Sequence, residues 1–113
     1  MDKPYAAPDV PDSRVTPTFV RDELLKCFES ANREFATVMK QPVTDEELKT
    51  QVKTFVETVF ARCGVNYVAP TKGGIISAIA ECRGNAEKMM GPGGADIISH
   101  HYDEMMKLVN RLE

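Results

Sequence analysis

The sequence predicts an all-α fold, a four-helix bundle preceded by an extended proline-rich arm. Three observations carry that prediction. Apolar residues recur at spacings of three and four along most of the chain, the period of a helix with one buried face. Helix start and stop signals cut those stretches into four. The one β-favouring stretch, Val65 to Val68, is too short for an independent sheet. The short connections at residues 40–43 and 91–94 favour antiparallel neighbours, while the longer link at 64–70 lets two hairpins cross. The bundle is therefore expected as up-and-down or as an orthogonal pair of helical hairpins. With 113 residues, residues 17–113 form one helical domain behind an arm at 1–16.

The arm contains Pro4, Pro8 and Pro11, with Pro17 just beyond. These block helix and favour extended backbone. Tyr5, Val10 and Val15 are its only side chains suited to packing. It is read as a partly ordered tail, the alternative being a strap that docks across a neighbour.

The first helix starts at Thr16 or Thr18 as N-cap, with Pro17 at its first position. Its stripe is Val20, Leu24, Phe28, Ala31, Phe35 and Val38, widened by Leu25 and Cys27. It ends before Pro42. The second helix opens on a capping box, Thr44 with Glu47, inside a Val43–Leu48 hydrophobic staple. Asp45 and Glu46 suit the positive end of its dipole. Leu48, Val52, Phe55, Val59 and Cys63 line one face, with Val56 and Phe60 beside them, and Gly64 caps the end. The link that follows is expected to pack Tyr67 or Val68 on the bundle.

The third helix begins at Thr71 and buries Ile75, Ile79, Cys82, Ala86 and Met89 or Met90. The fourth runs from about Ala95 to Leu112. Ile98, His101 or Tyr102, Met105, Leu108 or Val109, and Leu112 face inward. Between the two, Gly91 suits a left-handed cap, Pro92 stops continuation, and Gly93 and Gly94 permit a reversal.

Charge narrows the function. The net charge is −3, and the most basic stretch, residues 65–91, reaches only +1 (Lys72, Arg83 and Lys88 against Glu81 and Glu87). Nucleic-acid binding needs a positive surface, so it is disfavoured, including a helix-turn-helix use of the third helix. Three scattered cysteines without C-x-x-C spacing argue against a disulfide framework and point to a reducing, cytoplasmic setting. The N-terminal residues lack the apolar core of a secretory signal. No apolar run approaches the ~20 residues of a transmembrane span.

Four constellations remain. "GPGGAD" lacks the lysine and preceding strand of a phosphate loop, and Asp96 would repel an anion, so it reads as a joint. Lys72, Gly73 and Gly74 at a helix start could bind an anion through backbone N–H groups and an ammonium. His100, Asp96 and Glu104 share one helical face and could hold a transition metal. The plainer reading pairs an exposed His100 with Asp96 or Glu104 and leaves His101 partly buried. Cys82 or Cys63 with a histidine is the only nucleophilic pairing, and nothing in the sequence lowers either thiol's pKa. No catalytic residue is assigned and no cofactor is called for.

Surplus apolar residues give the last signal. Phe19 and Leu25 widen the first helix. Ile97–Ile98, Met105–Met106 and Leu108–Val109 are adjacent pairs that cannot all enter one narrow seam. The functional expectation is a chain acting through protein–protein contacts, by self-association or as an accessory subunit. Tyr5, Phe19, Leu25, Ile97, Met105 and Met106 are its expected contact residues. The alternative is a ligand- or metal-binding domain with an inter-helix site around Lys72, His100 and His101.

Overall fold

The computed structural model describes residues 5–112, and the side chains of all of these except residues 86, 89, 90, 92–95, 97 and 98. A 3-10 turn, Asp12–Arg14, leads into three helical elements: α1 (Pro17–Val38), α2 (Asp45–Arg62) and α3 (Lys72–Val109). No strand occurs among the described residues.

α3 is two helices joined through one residue. Gly91 lies at φ 72°, ψ −179°, outside the helical region, a conformation that costs a residue with a Cβ more than it costs glycine. A straight helix of 38 residues would run about 57 Å, yet the longest dimension of the chain is 40 Å. The Lys72 ammonium donates to the Leu112 carbonyl at 2.8 Å, so the two ends of the element meet. Residues 72–90, the first arm, therefore lie antiparallel to residues 92–109, the second arm. With α1 and α2 these arms make the four-helix bundle. The reversal is tighter than the four-residue joint expected, because residues 93 and 94 are already helical and Pro92 falls where the second arm begins. Proline is tolerated there, since a first-turn N–H has no intrahelical acceptor.

Each helix start follows its sequence signal. The side-chain oxygens of Thr16, Thr44 and Thr71 accept from the N–H groups of Phe19, Glu47 and Gly74. α2 ends at Arg62, Gly64 turns the chain in the left-handed region, and Val65 N–H reaches back to the Phe60 carbonyl at 2.8 Å. α1 stops at Val38, with Lys40 rather than a glycine in the left-handed region at φ 55°. The stripe expected on α1 thus overruns: Val20, Leu24, Phe28 and Ala31 are buried, whereas Val38 is 53% exposed.

On α2, Val56 and Phe60 are the centre of the buried face, both fully enclosed, and Phe55 lies at its margin. In the link, Tyr67 stacks on Phe60 at 5.4 Å while Val68 is left in solvent. The Arg21 guanidinium lies over the Tyr67 ring, 4.9 Å from its centroid, and donates to the Tyr67 carbonyl.

The second arm is buried over an unusually wide arc. His101, Tyr102, Met105, Leu108 and Val109 are all inside, so both members of each alternative pair face inward. The reason is the N-terminal segment, whose described residues 5–15 run along the bundle as a strap. Tyr5 and Val15 join the core. Ala7 N–H donates to Glu104 at 3.3 Å, and Arg111 holds Asp12 and the Val10 carbonyl. The strap thus covers a face of the second arm that a bare bundle would expose. No described helix is long and apolar enough to cross a membrane, and the three cysteines are free.

Candidate functional site

The seam between α1 and the second arm carries polar side chains at positions where helical periodicity calls for apolar ones. On α1, Glu23, Cys27, Ala31 and Glu34 follow one another at spacings of four, four and three. They form the edge of α1 that meets the strap and the second arm. Ala31 is small and lets the helices approach. Glu34, nearly one turn on, sends its carboxylate to both histidines.

His101 is fully buried. Its Nε2 lies 2.6 Å from Glu34 Oε2, and its Nδ1 accepts the Tyr5 backbone N–H at 3.1 Å. A backbone N–H can only donate, so Nδ1 carries no proton and the neutral ring is protonated at Nε2, donating to Glu34. The carbonyl of His101 accepts the Cys27 thiol at 3.3 Å. Burial pushes the His101 pKa below its ordinary value, outweighing the hydrogen bond to Glu34.

His100 projects at the rim, about half exposed. Its Nε2 sits 3.3 Å from the same Glu34 oxygen, and its ring lies over that of His101 with centroids 4.1 Å apart. Glu34, His100 and His101 each offer one ligand atom, all within 4.8 Å of one another. Among the described residues no other histidine, cysteine and carboxylate group meets that condition.

The ligand set expected from one helical face is therefore not the one assembled. Glu104 is engaged elsewhere, by Lys107 and the Ala7 N–H, which together hold its carboxyl below the ordinary carboxylate range. Asp96 is exposed and stands outside the cluster. Glu34 supplies the carboxylate instead, from across the seam. The signal for it was legible: an acid at stripe spacing on α1, facing a histidine on another helix's stripe.

Two donors of the anion candidate, the Lys72 ammonium and the Gly74 N–H, are engaged within the chain. Lys72 binds the Leu112 carbonyl at the negative end of the second arm, and Gly74 N–H is taken by its cap Thr71. Gly74 is there for close packing: a Cβ in its place would lie 2.8 Å from Val65 Cγ1. The thiols of Cys27 and Cys82 are pushed up to about 12 by burial, so they stay protonated at neutral pH. Cys63 Sγ lies 3.9 Å from the Ser77 carbonyl.

The expected contact residues divide. Tyr5 and Met105 are buried within the chain, while Phe19, Leu25 and Met106 are half-buried against the core. The side chain of Ile97 lies outside the described residues. Among the described residues, the large apolar side chains most exposed to solvent are Val38, Met39, Val68 and Ile76. No protein-family model, curated protein or solved structure matches the chain.

Proposed function

We propose that the protein is a helical binding domain for a divalent transition metal, held by Glu34, His100 and His101 between α1 and the second arm of α3. The observation that carries this reading is the convergence of two imidazole nitrogens on one carboxylate oxygen, at 2.6 and 3.3 Å. Two nitrogens and one oxygen suit zinc and its first-row neighbours, and three protein ligands leave a position open for water or a small ligand. Tetrahedral bonds of about 2.0–2.1 Å place ligand atoms roughly 3.3 Å apart. The His100–Glu34 spacing already has that value, and the His101–Glu34 spacing needs to open by less than ~1 Å. The half-exposed His100 and Glu34 give a cation a route from solvent.

Stepwise addition of Zn2+, followed by calorimetry and native mass spectrometry, is expected to show one ion per chain. His100→Ala and Glu34→Gln should each weaken it at least about tenfold, the usual effect of losing a ligand or its close partner. Equal affinity in the wild type and both variants would place the ion elsewhere and remove the reading. A second reading, contact with another protein or another copy, is favoured by Val38 and Met39, 53% and 51% exposed at the end of α1. A strictly monomeric chain in sedimentation equilibrium at high concentration would count against self-association.

A further inference from the structure

We infer that metal and the N-terminal strap compete for His101, so that loading the site releases the Tyr5 end of the strap from the bundle. This rests on the metal-binding reading above and adds its regulation. Among the described residues, the strap's hydrogen bond to the site is Tyr5 N–H on His101 Nδ1, at 3.1 Å. That bond requires a lone pair at Nδ1 and therefore places the ring proton on Nε2, against Glu34.

A metal at the Glu34–His100–His101 site takes the lone pair of Nε2. The Nε2 proton must then leave that atom, and neutral imidazole keeps it on Nδ1. In that tautomer Nδ1–H points at Tyr5 N–H, two donors face to face inside a buried seam. Metal-bound histidines ordinarily donate this second N–H to a carbonyl, carboxylate or water. The docked strap offers the opposite, a donor. Rotating the ring by half a turn does not help, because it replaces Nδ1 with a carbon and leaves the Tyr5 N–H without an acceptor. Coordination and docking are thus alternatives at one imidazole.

Once that bond is lost, the rest of the strap's first anchor is loosened. The Tyr5 ring is buried and its hydroxyl donates to Glu23 Oε1 at 3.2 Å. The next hold is Ala7 N–H on Glu104, a long and only partly buried bond. The anchors at Asp12 and Val10, both made by Arg111, lie two turns further along the second arm and do not touch the site. Metal therefore frees residues near Tyr5 and leaves the Asp12 end attached. The released surface includes the Tyr5 ring and the side of the second arm that it covered.

Amide-resolved NMR of the full chain, with Zn2+ added stepwise, tests this. The Tyr5 amide should be protected from exchange without metal and should lose protection in step with Zn2+ occupancy, while the Val15 and Thr16 amides hold. Tyr5→Pro, which lacks the N–H, should bind Zn2+ about fivefold more tightly than the wild type, the worth of roughly one net hydrogen bond. Tyr5→Phe, which keeps the N–H, should resemble the wild type more closely. If Zn2+ binds through His100 and Glu34 but the Tyr5 amide stays protected at full occupancy, the competition is refuted and the metal site stands. If Zn2+ does not bind, both fall. The wild-type exchange result decides the matter even where Tyr5→Pro folds poorly.

Discussion

The seam between α1 and the second arm of α3 is fastened in one way, and the seams made by α2 in another. Along the first, directional bonds run through buried atoms: Cys27 to the His101 carbonyl, His101 to Glu34, and Tyr5 to both His101 and Glu23. Along α2, the buried residues are Leu48, Val52, Val56, Val59 and Phe60. Its polar links to other helices, Arg33–Asp45 and Arg62–Glu81, join side chains near the surface. Apolar attraction is strong but undirected, whereas a hydrogen bond in a buried seam fixes which atoms meet. α2 is therefore held chiefly by apolar burial, while the opposite seam adds directional bonds to apolar burial of its own. The candidate site lies on the second.

The largest way to break this contrast is on the α2 side. Phe60 is fully enclosed and stacks edge-on with Tyr67. Phe60→Ala should lower the unfolding free energy by about 3–5 kcal/mol in urea denaturation, from lost burial plus the cavity left behind. Metal affinity of the folded fraction should change little, because the site lies on the other seam. A loss under ~1 kcal/mol would mean that α2 is not held by its apolar face.

The same contrast explains what could be read in the sequence. α2 was legible because its signals are local: Thr44 caps, Val43 and Leu48 staple, and an apolar face repeats at helical period. The error there was a rotation, with Phe55 given the centre that Val56 and Phe60 hold. A wide apolar arc leaves its own midpoint undetermined until the neighbours are known. The overrun of α1 to Val38 has the same origin, since periodicity does not say where the partner helix ends. On the other seam the residues were visible but their pairing was not. His100 and His101 were picked out, and their carboxylate was sought on the same helix, where spacing can be computed. Glu34, 67 residues away from His101, could be found only by asking why an acid sits at stripe spacing on α1. The strap was harder still, because its decisive group is the Tyr5 backbone N–H, which every non-proline residue possesses.

A smaller effect is expected on the polar seam when the metal-free protein is acidified. His101 faces Glu34 from α1, His100 on its own arm and the Tyr5 N–H from the strap. Its folded pKa lies below the ordinary histidine value of about 6.5, so the unfolded chain takes up a proton at a higher pH than the folded one. The stability this neutral ring contributes is fully present above about 6.5 and is lost as pH falls from there through the folded pKa. The slope from this one proton is at most about 1.4 kcal/mol per pH unit. Its Cε1 proton in NMR should titrate below 6.5, with urea stability falling over the same interval. Titration above 6.5 would show that Glu34 outweighs burial.

The smallest effect should have the opposite sign, and it concerns the next residue along. Tyr102 is as deeply buried as His101, 1% exposed, with its ring edge-on to Phe28 at 5.7 Å and the Arg83 guanidinium over it. Yet among the described residues its hydroxyl has no hydrogen-bond partner. One neighbour on this arm has both ring nitrogens satisfied, and the other has its only polar atom alone. Leaving a buried hydroxyl unpaired costs about 1–3 kcal/mol, part of which returns as lost contact when the oxygen is removed. Tyr102→Phe should therefore raise the unfolding free energy by about 1 kcal/mol without changing Zn2+ affinity. A loss of similar size would show that the hydroxyl is satisfied in solution and that the directional network extends beyond His101 into the core. A gain would place its limit at the imidazole, which makes His101 the inner end of the site.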